Sequence, residues 1–322
     1  MTGYLNATEI AETLRRIRDS VGQRIIGQDV VIDEILVAFL ARGHVLVEGV
    51  PGTAKTLLVR SLAESLGAGF GRIQFTPDLM PSDMTGVSVF SEATRGFEFR
   101  AGPVFTDLLL ADEINRAPAK TQAALLEAMQ ERQVTTDGKT RPLSALFTVF
   151  ATQNPVEYEG TFPLPEAQLD RFLVKVRVDY PTAEAEVAIL DRYAGGFDAD
   201  RLGDRPIAPV LDAAGMAALR SAVDAVTVAP EVRAYIAAIV RATRDDSGLT
   251  LGGSPRATVA LFRAARGAAL LAGRDFATPD DVKDLAPAVL RHRLIVAPEL
   301  DVEGRTADEV LATILTRVPA PQ

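Results

Sequence analysis

Residues 44–57 read HVLVEGVPGTAKTL, an apolar run that breaks at glycine and restarts with helical periodicity. His44 to Glu48 has the length and branched side chains of a buried strand, and TLLVRSLAESLG after it is a helical run. A strand that enters a helix through a glycine-rich turn aims several backbone N–H groups at one point, at the positive end of the helix. EGVPGTAKT nearly fits the phosphate-loop pattern G-x-x-x-x-G-K-[ST] and departs from it at Ala54, before Lys55. Pro51 and Gly52 supply a tight turn, while Gly49 and Gly52 allow backbone conformations closed to other residues. Lys55 brings a point charge to the β- and γ-phosphates, and the Thr56 hydroxyl can ligate Mg²⁺. Ala54 is expected to lie inside the helix, where a right-handed backbone costs it nothing. Thr53 and Leu57 complete the set of loop positions expected to touch ATP.

A second apolar strand, in LLLADE, ends in two adjacent carboxylates, Asp112 and Glu113. Burying such a pair is costly unless a cation or substrate repays the desolvation. Asp112 is placed to join Thr56 around Mg²⁺, and Glu113, pointing the other way, to take a proton from attacking water. A third strand, LFTVFATQNP, ends in Asn154, whose amide could orient that water at the same sheet edge.

Between and around these lie RIQF and FLVKVRV as further buried strands and NRAPAKTQAALLEAMQE as a helix. Two helices precede the first strand, one with Ile10, Leu14, Ile17 and Val21 on a single face and Asn6 as its cap, the other from about Asp29 to Ala41. Strands alternating with helices imply a parallel sheet covered on both faces. Strand signals stop at Pro181, and everything beyond reads as helix. The predicted division is 1–181, an α/β domain, and 182–322, an α-helical one.

With 322 residues the chain can bury a full core; with no cysteine it has neither disulfides nor thiolate metal sites. A net charge of -9 argues against broad nucleic-acid binding. No apolar run reaches membrane-spanning length and the first residues lack a signal-peptide layout, so a cytoplasmic location is expected. His44 and His292 are read as packing or surface residues.

Four segments, GVPGTAKT, LLLADEINRAPAKTQAALLEAMQERQV, ATQNPVEYEGTFPLPEAQLDRFLVKV and GGSPRATVALFRAARGAALLAGRDFATPDDV, closely resemble the MoxR family of AAA+ ATPases. Alanine before the loop lysine is usual in that branch. The resemblance implies an AAA+ P-loop domain with a five-stranded parallel sheet between helices, an α-helical lid, and ATP with Mg²⁺ at their junction. It also implies assembly into homo-oligomeric rings, typically hexamers, in which Arg171 completes a neighbour's site. Arg256 matches the lid arginine that reaches the γ-phosphate, with Ser254 capping its helix and Pro255 at the first position. Gln28, in RIIGQ, matches the segment lining the adenine pocket. Two insertions are expected: VSVFSEATRGFEFRAGP, interrupting the helix after the second strand, and a hairpin, RQVTTDGKTRPL, turning at Asp137-Gly138.

The function these features imply is chaperone-like remodelling or maturation of client proteins, with proteins bearing von Willebrand factor A domains among the partners. The alternatives are a helicase-like or magnesium-chelatase-like motor subunit, disfavoured by acidity and few aromatics, and a nucleotide sensor that hardly hydrolyses ATP.

Overall fold

The computed structural model describes residues 7–154, 160–199 and 206–321. The chain opens with helices α1 (Ala7–Gly22) and α2 (Asp29–Leu40), followed by strand β1 (Val45–Gly49) and α3 (Lys55–Ser65). The cap expected at Asn6 lies outside the described residues. Next come β2 (Phe70–Gln74), the short α4 (Pro81–Thr85), β3 (Gly86–Ser91), β4 (Gly96–Ala101), β5 (Leu108–Asp112), α5 (Ala119–Glu131), β6 (Gln133–Thr136), β7 (Lys139–Pro142) and β8 (Thr148–Gln153). After the four-residue α6 (Glu166–Leu169), β9 (Val174–Val178) closes the α/β part.

Five strands form one parallel sheet in the order β2-β5-β8-β1-β9. Both of its faces are buried, with strict alternation. Val45 and Val47, Leu108 and Leu110, and Phe150 face a core shared with α1 to α3. Leu46, Leu109, Ala111 and Val149 face a second core with Leu125 and Met129 of α5. That two-sided burial is why these strands read as continuous apolar runs. A fully parallel sheet ends all its strands on one edge, which concentrates β1, β5 and β8 tips at one place.

Both insertions form hairpins. β3 and β4 pair antiparallel, and so do β6 and β7, with Asp137 and Gly138 both at positive φ as a tight turn of that hand requires. The first insertion leaves less helix than expected: α4 is the one helix between β2 and β5 among the described residues. The two hairpins touch, with the Ser88 hydroxyl donating to Asp137 and the Arg141 guanidinium lying 3.7 Å from the centre of the Phe99 ring.

Beyond β9 the chain forms α7 (Ala183–Ala194), α8 (Ala213–Ala225), α9 (Pro230–Asp245), β10 (Leu249–Leu251), α10 (Pro255–Leu271), α11 (Pro279–Leu290), β11 (Ile295–Val296), α12 (Pro298–Val302) and α13 (Ala307–Arg317). The expectation of a purely helical second part needs correction, since β10 and β11 form a short antiparallel pair. Both strands are two or three residues long, too short to show periodicity. Ser254 caps α10 as expected, its hydroxyl accepting the Arg256 N–H at 3.1 Å. α10 packs on α2 almost backbone to backbone, because a Cβ at Gly267 would lie 2.9 Å from the Val37 carbonyl oxygen.

Candidate nucleotide site

The turn after β1 is built differently from the sequence expectation in two places. Gly49 is not at positive φ; it is glycine because a Cβ there would meet the Val178 carbonyl oxygen at 2.5 Å, so β9 could not pair closely with β1. Gly52 does have φ +82. Ala54 stands outside the helix, at φ 61 and ψ 23, and α3 begins only at Lys55. The left-handed backbone is therefore a cost that alanine bears and glycine would not. Left-handed residues beside right-handed ones turn successive N–H groups into a concave anion cradle, which accounts for glycine in the usual pattern. Thr53 steadies the turn, its hydroxyl donating to the Val50 carbonyl at 2.9 Å.

Lys55 Nζ donates to the Gly49 and Val50 carbonyls. Its pKa is lowered, chiefly by burial, with Asp112 and Glu113 opposing that shift. Asp112, at the tip of β5, pairs with Arg72 at 2.7 Å and accepts the Thr152 hydroxyl at 2.6 Å. A strand continuing straight would turn Glu113 to the other face. Instead Glu113 takes φ 57, and both acids line the same cavity. The Glu113 carboxylate accepts from Gln74 Nε2 at 2.7 Å and pairs with Arg116 at 3.1 Å, while its N–H donates to the Thr152 hydroxyl at 2.9 Å. Asn154 follows β8 directly and is buried beside them.

These parts enclose a cavity of about 630 Å³, in the range of small-molecule sites. Lys55, Thr56, Asp112, Glu113, Thr152 and Asn154 line one end, with Pro51 to Ala54 and Leu57 along the loop. Ile25, Ile26, Ile189 and Tyr193 give the other end an apolar lining suited to a flat base. Gln28 lies there too, its amide nitrogen donating to the Asp179 carbonyl at 3.2 Å. The donor set fits magnesium. Among the described residues no cluster of three acids or histidines could hold a metal alone, whereas Thr56 and Asp112 leave positions for phosphate oxygens and water, the usual way Mg²⁺ is bound.

Arg171 and Arg256 are elsewhere. They share a second cavity, of about 410 Å³, with Gly43 and His44, which precede β1. The loop follows β1, so the two cavities lie at opposite edges of the sheet, roughly 16 Å apart along a five-residue strand. Arg256, expected to reach a γ-phosphate from the lid, points into the same cavity as Arg171. Its guanidinium makes no ion pair or hydrogen bond among the described residues, and Asp281, a plausible local partner, is bound by Arg274 at 2.6 Å. Arg171 donates to the Leu126 carbonyl at 3.0 Å, and its neighbour Asp170 is held by the buried Arg293 at 2.7 Å.

The histidines are packing residues. His44 Nδ1 accepts the Val149 N–H at 3.0 Å, so Nε2 carries the proton facing the Met129 carbonyl. Burial pushes its pKa down to about 3, with Arg132 adding to the shift, and His292 is likewise lowered by burial. Sequence reasoning missed Arg72, Gln74, Arg116 and Thr152. Their signal was positional: Gln74 ends the strand beside β5, in register with Asp112.

A phosphate loop, paired acids and a polar tip on three adjacent parallel strands, with a mostly helical unit behind, define an AAA+ ATPase. The sequence model of the ATPase family associated with various cellular activities (AAA) matches residues 44–174, and that of the AAA lid domain matches residues 241–314. The chain is 42% identical over 321 residues to Chaperone MoxR1 of Mycobacterium tuberculosis, covering 96% of this chain and 83% of that one. It is 46% identical over 303 residues to the uncharacterized protein YeaC of Bacillus subtilis, covering 94% and 93%. A crystal structure solved as a candidate ATPase from Cytophaga hutchinsonii superposes with a TM-score of 0.89 at 38% identity, over 98% of this chain and 97% of the other. The chain belongs to the MoxR family of AAA+ ATPases.

Proposed function

We propose that this chain hydrolyses ATP with Mg²⁺ in an oligomeric ring, typically a hexamer, and uses the cycle to remodel or mature client proteins. The observation that carries the reading is the convergence of Lys55, Thr56, Asp112, Glu113 and Asn154 on one cavity with an apolar far end. The loop amides and Lys55 bind the phosphates, while Thr56 and Asp112 hold Mg²⁺, which supplies charge neutralisation when bound. Glu113 accepts a proton from water positioned with Asn154, once its carboxylate turns from Gln74 and Arg116. Arg171 and Arg256, at the far edge, serve the next subunit's phosphates; stabilisation of this kind is worth about 10³–10⁵ in rate.

Chaperone MoxR1 by its name supports the client-directed reading, and proteins with von Willebrand factor A domains are proposed partners. No helix among the described residues is long and apolar enough to cross a membrane, and a cytoplasmic site of action is proposed. The net charge of -9 weighs against a nucleic-acid motor. Glu113→Gln is expected to bind ATP with normal affinity and to stop turning it over, measured by phosphate release. Normal turnover by that variant would remove Glu113 from the mechanism. Specific activity is expected to rise with protein concentration as subunits complete one another's sites; a flat profile would point to a self-sufficient monomer.

A further inference from the structure

β3 is a sheet edge without the protection its neighbours carry. Its sequence, Gly86-Val87-Ser88-Val89-Phe90-Ser91, contains no charge and no proline. The outer strands of the main sheet differ: β2 carries Arg72, and β9 carries Lys175 and Arg177. Exposed edges normally need such residues, because their unpaired N–H and C=O groups template another strand. β3 pairs with β4 along one side; the Gly86 N–H donates to the Ser82 carbonyl, and among the described residues no other backbone hydrogen bond reaches Val87 to Ser91.

The edge is also held in place. At its base a Cβ on Gly102 would lie 2.2 Å from the Met84 carbonyl oxygen, so the chain there is tightly seated. Phe99 of β4 packs edge-on against Phe105, with ring centres 5.6 Å apart, and beneath Arg141 of the other hairpin. A fixed strand loses little freedom on gaining a partner. Exposed apolar side chains lie on both faces beside the edge. Phe90 and Phe97 pair across the hairpin at 54% and 77% exposure, and Val87 and Val89 lie on the opposite face at 47% and 46%. The Val87 face also carries Arg100 and Glu98. Arg95, Arg100 and Lys139 on the two hairpins make no ion pair among the described residues, in a chain of net charge -9.

From these observations we infer that β3 binds an extended polypeptide segment as an added strand, one that alternates apolar and acidic side chains. Main-chain hydrogen bonds to β3 supply most of the recognition and tolerate varied sequences. Apolar side chains of the segment lie with Phe90 and Phe97, and acidic ones with Arg100. The inference rests on the client-remodelling reading and names the form in which a client is first held.

The test uses the full chain, the nonhydrolysing Glu113→Gln background with ATP, and a fluorescein-labelled peptide of about ten residues alternating valine and glutamate. Fluorescence anisotropy is expected to report binding that weakens with added salt. Val89→Glu, which puts a like charge on the face where the peptide's glutamates lie, is expected to weaken it by roughly tenfold or more. The same peptide N-methylated at every amide keeps its side chains but has no donors, and is expected not to bind. Equal binding of the methylated peptide, or unchanged binding to Val89→Glu, overturns the proposal. So does self-association in sedimentation that Val89→Glu abolishes without peptide, because the edge then belongs to a second copy. Val89 is outside the nucleotide cavity, so ATP affinity of Val89→Glu should equal that of the parent. Failure of Lys55→Ala to lose ATP would instead overturn the functional reading itself.

Discussion

Replacing Ala54 with glycine should stabilise the protein, against the usual effect of adding a glycine next to a helix. Ala54 sits at φ 61 and ψ 23, where an L-residue carries a penalty of about 1–2 kcal/mol that glycine lacks. Against this, glycine enlarges the freedom of the unfolded chain, costing about 0.4–1 kcal/mol. Nothing further is lost, since Ala54 is exposed and its methyl fills no core space. The balance favours Ala54→Gly by roughly 0.5–1 kcal/mol. Ala54→Val should lose stability relative to the parent, because a β-branched residue fits a left-handed backbone worse than alanine does. Urea unfolding without nucleotide, with midpoint and slope compared across the three proteins, measures the order. If glycine destabilises, or valine matches alanine, the turn does not hold the left-handed geometry and the reasoning fails.

At Gly49 an added methyl would press on the Val178 carbonyl at 2.5 Å. Gly49→Ala should cost about 1–3 kcal/mol in urea unfolding and weaken ATP binding as β1 and β9 part. Arg293 is buried and clamps Asp170 as well as the Asp170 to Leu173 backbone. Arg293→Met should cost about 3–5 kcal/mol, and adding Asp170→Asn should recover part of it by removing the stranded charge. His44 is neutral in the fold with its pKa depressed to about 3, so the unfolded chain binds the extra proton first. Its contribution is intact above its unfolded value near 6.5 and is lost as pH falls from there towards 3, by about 1.4 kcal/mol per pH unit. Stability measured between pH 7.5 and 5.5 should therefore fall less steeply in His44→Gln than in the parent.

The sheet was legible because two-sided burial writes each strand as an unbroken apolar run, and because Gly52-Thr53-Ala54-Lys55, Asp112-Glu113 and Asn154 each interrupt such a run at its end. What could not be read was backbone sign. Ala54 and Glu113 both take positive φ, and neither residue type announces it, as glycine would. Gly49 misled in the opposite direction: its identity answers to Val178, more than a hundred residues away, and has nothing to do with local freedom. The position of Arg256 relative to the sheet was hidden for a similar reason. The cap at Ser254 fixed where its helix starts, but which edge of the sheet that helix start faces depends on how α10 lies on α2, a long-range contact with no local signature. Arg72 and Gln74 escaped notice because their partners, Asp112 and Glu113, lie at the tip of β5 and just beyond it, across the sheet.

Gly267 and Val37 leave no side-chain layer between α10 and α2, and two backbones in such contact cannot slide or tilt past one another without overlap. The helix before the phosphate loop is thus welded to a helix more than two hundred residues later. A shift of α10 relative to α2 would first have to open this contact, so the two helices are expected to travel together. Because α2 also packs on the parallel sheet through their shared core, this contact ties α10 to the face of the sheet that carries the phosphate loop.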